Sequence, residues 1–105
     1  AHIVLAGVTY KPNVTDHRET PARPLALHLQ GMGGRVSYVD PMVDEFQVGG
    51  RSLERISELS EAIRVADVLV LLQAHEEFIN STILDSATCI LDTSGRLTGR
   101  NVERL

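Results

Sequence analysis

"HIVLAGVTYKPNVTDHRETPA", residues 2–22, decides the fold. "HIVLAGV" (2–8) is a short continuous apolar run, the pattern of a strand buried on both faces. Thr20 suits an N-cap and Pro21 a first helical turn, so a helix starts there. Pro24 is tolerated because the first turn does not yet need its N–H groups. Between strand and helix stands a loop holding Lys11, Asp16, His17, Arg18 and Glu19.

Downstream, Leu25, Leu27, Leu29 and Met32 supply apolar cover to the helix, and "GMGG" (31–34) ends it with glycine for a left-handed cap. "RVSYVD" (35–40) alternates as a second strand and stops at Asp40-Pro41. The stretch 41–51 reads as a polar loop with Gly49-Gly50. "SLERI" (52–56) is a brief third strand. "SELSEAIRVA" (57–66) sets Leu59, Ala62, Ile63 and Ala66 at helical spacing, with Ser57 as the candidate cap. "DVLVLLQ" (67–73) is the second strongly apolar strand. Helical fragments fill 76–87, with Phe78 as an anchor, and "TCILDT" (88–93) is the last strand. "SGRLTGRNVERL" (94–105) is a polar exit.

Strands alternating with helices imply an α/β fold, Rossmann-like, with three α/β/α layers over a five-stranded, mainly parallel sheet. Right-handed crossovers give the order 3-2-1-4-5. The switch point then lies between the strands at 2–8 and 67–73. Ligands bind outside the carboxyl ends of strands at such points. The loops "TYKPNVTDHRET", "QAHEEF" and "TSGR" leave those ends.

Composition narrows the function. The 105 residues make one domain with one modest core. The chain does not begin with Met, and its second residue already lies in an apolar run, so it reads as a piece excised from a longer polypeptide. A net charge of −4 gives no general attraction to nucleic acid or acidic membrane. Two Tyr, two Phe and no Trp argue against a base-stacking platform. No apolar stretch approaches the roughly 18–20 residues of a membrane span, and no signal peptide is visible. One cysteine, Cys89, excludes an internal disulfide and suits a reducing cytoplasm.

The first strand-to-helix turn has only Gly7 where a dinucleotide fold uses G-x-G-x-x-G, so this domain is not expected to hold NAD by itself. His2, His17, His28 and His75 have no metal-ligand spacing. Cys89, mid-strand among apolar neighbours, reads as a small buried core residue and not as a nucleophile. What remains is the cationic pair Lys11 and Arg18 beside a helix N-terminus, where free N–H groups favour phosphate. Asp16 and Glu19 would hold the two cations. On chemistry alone a solvated loop, with Arg18 paired to Asp16, accounts for the cluster equally well. Tyr10 either stacks on a base or sugar or, the more ordinary role, covers the strand edge.

"GVTYKPNVTDHRETPA" (7–22) resembles the G-x-x-[YF]-K-P-x-x-x-D-x-R-E-[ST]-P-A signature of the UDP-glucose/GDP-mannose dehydrogenase family, in its C-terminal UDP-sugar-binding domain. "VSYVDP" (36–41), "ADVLVLLQAHEEF" (66–78) and "ILDTSG" (90–95) are similar to further segments of that domain, in the same order. The first is long and specific; the others are short.

The resemblance implies a two-step, NAD-dependent oxidation of a nucleotide sugar's C6 alcohol to a carboxylate. It implies an N-terminal NAD domain and a central region carrying the catalytic cysteine, both outside this chain, and a homo-oligomeric parent enzyme. Cys89 is not that cysteine, so this chain carries no catalytic residue and is inactive alone. Position by position, Tyr10 and Lys11 match the aromatic-Lys pair that contacts the UDP-sugar, and Arg18 matches the Arg that reaches the NAD. Many members place a basic residue two positions after the last-strand Asp. Here that position is Ser94, and Arg96 is the nearest substitute. The Asp-x-x-Gly pattern from Asp92 is closer to members that oxidise N-acetylhexosamine nucleotides such as UDP-N-acetylmannosamine. Two other functions fit the same fold: a stand-alone nucleotide or phosphate sensor, and a domain that buttresses an oligomer.

Overall fold

The computed structural model describes residues 2–8, 22–72, 89–92 and 102–104. Strand β1 (His2–Ala6) is followed by helix α1 (Ala22–Gly31) and strand β2 (Arg35–Val39). A small antiparallel hairpin, β3 (Gln47–Val48) and β4 (Arg51–Ser52), precedes β5 (Glu54–Arg55). Then come α2 (Leu59–Val65), β6 (Val68–Leu71), β7 (Ile90–Asp92) and β8 (Val102–Arg104).

Six of these strands form one sheet in the order β5-β2-β1-β6-β7-β8, and every neighbouring pair is parallel. Counted along the chain, that is the predicted 3-2-1-4-5 order with one further strand beyond the fifth. The extra strand corrects the reading of 94–105 as a polar exit. "NVERL" holds a single β-branched residue and two charges, so it offers almost no strand pattern.

Alternation along the strands divides the core between two layers. Val4, Ala6, Val39, Leu69, Leu71 and Ile90 face α2, joining its Leu59, Ala62 and Ile63. Leu5, Val36, Tyr38 and Val70 face the other way, toward Ala22 and Ala26 of α1 and Phe46 and Val48 of the hairpin region. Each fully buried Val, Leu or Ile in these layers contributes roughly 1.5–3 kcal/mol. The two helices therefore cover opposite faces of a central sheet. The three-layer prediction holds.

Local expectations were corrected in three places. In α1 the residues that sit fully against the sheet are Ala22 and Ala26, whose small size lets the helix approach closely. Leu25 and Leu29 are partly buried, while Leu27 is 50% and Met32 72% exposed. The brief strand predicted over 52–56 is two pieces: Ser52 ends β4, Glu54–Arg55 is β5, and Leu53 is buried between them. Helix α2 starts one residue later than a Ser57 cap predicts. Its N-cap is Glu58, with extended backbone and no side-chain cap hydrogen bond, so Ser57 does not cap it. The glycine stop of α1 is as expected: Gly33 N–H donates to Gln30 O (3.0 Å) and Gly34 N–H to Leu29 O (3.1 Å).

Candidate functional site

The sheet topology defines one edge as the place for a site. From β1 the chain moves to β2 and β5 in one direction, then returns across β1 to β6, β7 and β8. The reversal lies between β1 and β6. Val39, Ala6, Leu71 and Asp92 are register partners, so they form one row across the carboxyl ends of β2, β1, β6 and β7. Ligands of open parallel sheets bind outside such a row, at the reversal. The stretches beginning at Gly7 and Leu72 depart from it on either side of that point.

At the end of β1, Gly7 takes φ +84°, a left-handed conformation open to glycine at little cost. Its N–H donates to Val39 O (3.0 Å). The next N–H, of Val8, donates to Asp40 Oδ2 (2.8 Å), and Met42 N–H donates to Asp40 Oδ1 (2.8 Å). Asp40 is 1% exposed. A buried carboxylate needs such donors, and backbone amides supply them. The Val8 side chain is buried in the same cluster as Ala22, so the chain on both flanks of 9–21 is tied to one core layer.

Only Gly7 and Val8 of the first turn are among the described residues. One glycine stands there, and the amide after it is committed to an internal carboxylate instead of being offered to a pyrophosphate. Among the described residues no group of three His, Cys, Asp or Glu side chains is placed to hold a metal ion.

Beside this edge, the 40–47 segment is braced by two arginines. Arg55 Nε donates to Val43 O (3.1 Å), as does the Tyr38 hydroxyl (3.1 Å). Arg23, in the first turn of α1, donates from Nε to Gln47 O (2.9 Å), with its guanidinium 4.7 Å from the centroid of the buried Phe46 ring. Burial raises the Tyr38 phenol above its ordinary value, against an opposing pull from the Arg55 charge.

Tyr10, Lys11, Arg18 and Arg96, the site residues expected from the sequence, lie outside the described residues, as do Asp16, Glu19, His75, Phe78 and Ser94. Cys89 is half-buried, not fully buried, and precedes β7, where its carbonyl accepts from Leu69 N–H (2.9 Å). Sequence reasoning missed Asp40. The signal available was an acid at the end of an alternating strand, directly before proline, where a solvent-facing turn is the ordinary reading.

Comparison with known proteins gives a concordant result. The family model described as "UDP-glucose/GDP-mannose dehydrogenase family, UDP binding domain" matches residues 4–99. The chain is 36% identical over 77 residues to the UDP-N-acetyl-D-mannosamine dehydrogenase of Escherichia coli K12, which covers 72% of this chain and 18% of that protein. The protein of the same name from Methanocaldococcus jannaschii is 35% identical over 78 residues, covering 74% and 17%. Among solved structures, GDP-mannose dehydrogenase from Pseudomonas aeruginosa superposes with a TM-score of 0.76 at 26% identity, over 97% of this chain and 27% of that one. The chain thus spans less than a fifth of the length of these curated relatives.

Proposed function

The chain belongs to the UDP-glucose/GDP-mannose dehydrogenase family, matching its UDP binding domain, and from that premise we propose that it binds the UDP end of a nucleotide sugar. In this reading Tyr10 and Lys11 contact the UDP-sugar, Arg96 takes the place of the family's basic residue after the last strand, and Arg18 reaches toward NAD. The observation that carries the reading is the matched stretch 7–22 departing from the sheet's carboxyl edge beside the point where strand order reverses. A lysine supplies a point charge and an arginine a fork, both suited to phosphate oxygens.

The same reading makes the chain one domain of a longer, cytoplasmic and homo-oligomeric dehydrogenase. That enzyme would oxidise the C6 alcohol of a UDP-sugar to a carboxylate, and the relatives at 34–38% identity favour UDP-N-acetylmannosamine as the sugar nucleotide. NAD, the hydride acceptor when bound, would be held mainly by another domain, in keeping with a first-turn sequence that has only Gly7 where a dinucleotide fold uses G-x-G-x-x-G. The catalytic cysteine would lie in the central region, leaving this chain inactive alone and a weak binder of UDP.

A two-dimensional NMR titration of the chain with UDP tests the assignment. Shifts are expected in 7–20, 73–78 and 92–96. Shifts confined to other residues would overturn it.

A further inference from the structure

We propose that Asp40 is a positioning residue: its buried carboxylate sets the direction in which the chain leaves β1, and thereby where Tyr10 and Lys11 meet the nucleotide. The inference rests on the reading of 7–21 as the nucleotide loop and adds a residue to which neither the family resemblance nor the sequence assigned a role.

Two consecutive amides at the exit of β1 are held by two consecutive residues at the exit of β2. Gly7 N–H is bound by Val39 O and Val8 N–H by Asp40 Oδ2. The second bond is not part of the strand ladder. It depends on a side chain and stands two residues before Tyr10 and three before Lys11. The other carboxylate oxygen holds Met42 N–H, so one group ties together the loops that leave neighbouring strands. With Asp40 1% and Val8 0% exposed, water is poorly placed to replace the Val8 bond, while the Met42 bond is only part-buried.

An ionised carboxylate accepts on both oxygens, whereas a carboxamide has one acceptor oxygen and an NH2 that must face a second N–H. Asp40→Asn therefore removes one of these two bonds while nearly preserving volume.

The experiment measures UDP affinity by NMR for the wild-type chain, Asp40→Asn, Lys11→Ala and the double variant. Lys11→Ala is expected to weaken UDP binding about tenfold, the loss of one charge-assisted contact. Asp40→Asn is expected to weaken it at least as much. In the Asp40→Asn background, Lys11→Ala then costs less than about twofold, because the lysine no longer reaches its phosphate. Fully additive losses, or wild-type affinity in Asp40→Asn, would overturn the proposal. Ile63→Ala, on the opposite face of the sheet, lowers stability without changing affinity and so separates positioning from general destabilisation. Where Asp40→Asn fails to fold, Asp40→Glu replaces it. The charge remains but the oxygens are displaced, so affinity still falls; wild-type affinity in that variant overturns positioning. A ligand-free readout distinguishes the two layers of argument. Faster exchange of the Val8 amide and shifted amides over 9–12 in Asp40→Asn support the anchor even where the wild-type chain shows no response to UDP, an outcome that sinks the nucleotide reading alone. Unchanged exchange and shifts sink the anchor.

Discussion

The two ends of the sheet each carry an acid that bridges neighbouring strands, and they do so by opposite means. At the carboxyl end, Asp40 is 1% exposed and accepts from the backbone amides of Val8 and Met42. At the amino end, the Glu54 side chain is 51% exposed and accepts from the Ser37 hydroxyl (2.7 Å) and from Arg35 Nη2 (3.0 and 3.1 Å). The Ser37 hydroxyl also pairs with His2 Nε2 (2.8 Å). One end fixes main chain with a buried carboxylate; the other joins a half-exposed carboxylate to an exposed arginine and to the hydroxyl of the buried Ser37. Of these two acids, the one that fixes backbone stands at the edge where parallel sheets bind their ligands.

The contrast predicts very different costs for losing each acid. Asp40→Ala strands the buried Val8 N–H and the part-buried Met42 N–H and is expected to cost about 3 kcal/mol. For a chain of this size that lowers Tm by roughly 10–20 °C. Glu54→Ala should cost under about 1 kcal/mol, as exposed pairs do. Urea melts of the two variants check the ratio. Equal losses would mean that burial is not what separates the two ends.

Tyr38 lies between these extremes. Its hydroxyl donates to Val43 O in a buried setting and so helps hold the 40–47 segment. Tyr38→Phe removes that donor and is expected to cost about 1 kcal/mol. The phenol also confers a pH dependence. Burial raises its folded-state value above the ordinary 10.0. The neutral form is thereby favoured in the folded state, so its contribution is fully present below about pH 10 and lost as pH rises through the higher folded value. Alkaline melts should therefore show a steeper loss in wild type than in Tyr38→Phe. Parallel losses would remove Tyr38 as the cause.

The same contrast explains what could be read from the sequence. The apolar runs "HIVLAGV" and "DVLVLLQ" became β1 and β6 because a strand covered on both faces has no polar position to interrupt it. Strand order followed from the alternation with helices. The hairpin was missed because "QVGGRS" offers two residues a side around Gly49-Gly50, whose φ values of +61° and +78° suit a two-residue hairpin turn. So short a pattern looks like loop. β8 was missed for a similar reason. Asp40 was illegible because an acid before proline gives no sign of being turned inward; its role depends on Val8, thirty-two residues away in sequence. Chemistry singled out Lys11 and Arg18 but fitted a solvated loop equally well; the contact roles expected of Tyr10, Lys11, Arg18 and Arg96 came from resemblance, and these residues lie outside the described ones.

The smallest expected effect sharpens the comparison from the amino end. The Glu54 carboxyl is held below its ordinary value of 4.5, first by the Ser37 hydrogen bond and then by that of Arg35, with slight burial opposing. A depressed folded-state value means that the contribution is present above about pH 4.5 and is lost as pH falls through the lower folded value. Half-exposure and salt screening hold it under about 0.5 kcal/mol. Ser37→Ala removes the larger cause while leaving Arg35 in place. The difference in urea midpoint between pH 7 and pH 3 should therefore be slightly smaller in Ser37→Ala than in wild type, and the margin should shrink further in 0.5 M salt as the Arg35 pairing is screened. A large acid-dependent loss traced to Glu54 would contradict the division of labour between the two ends, because it would require the exposed acid to hold the sheet as firmly as the buried one.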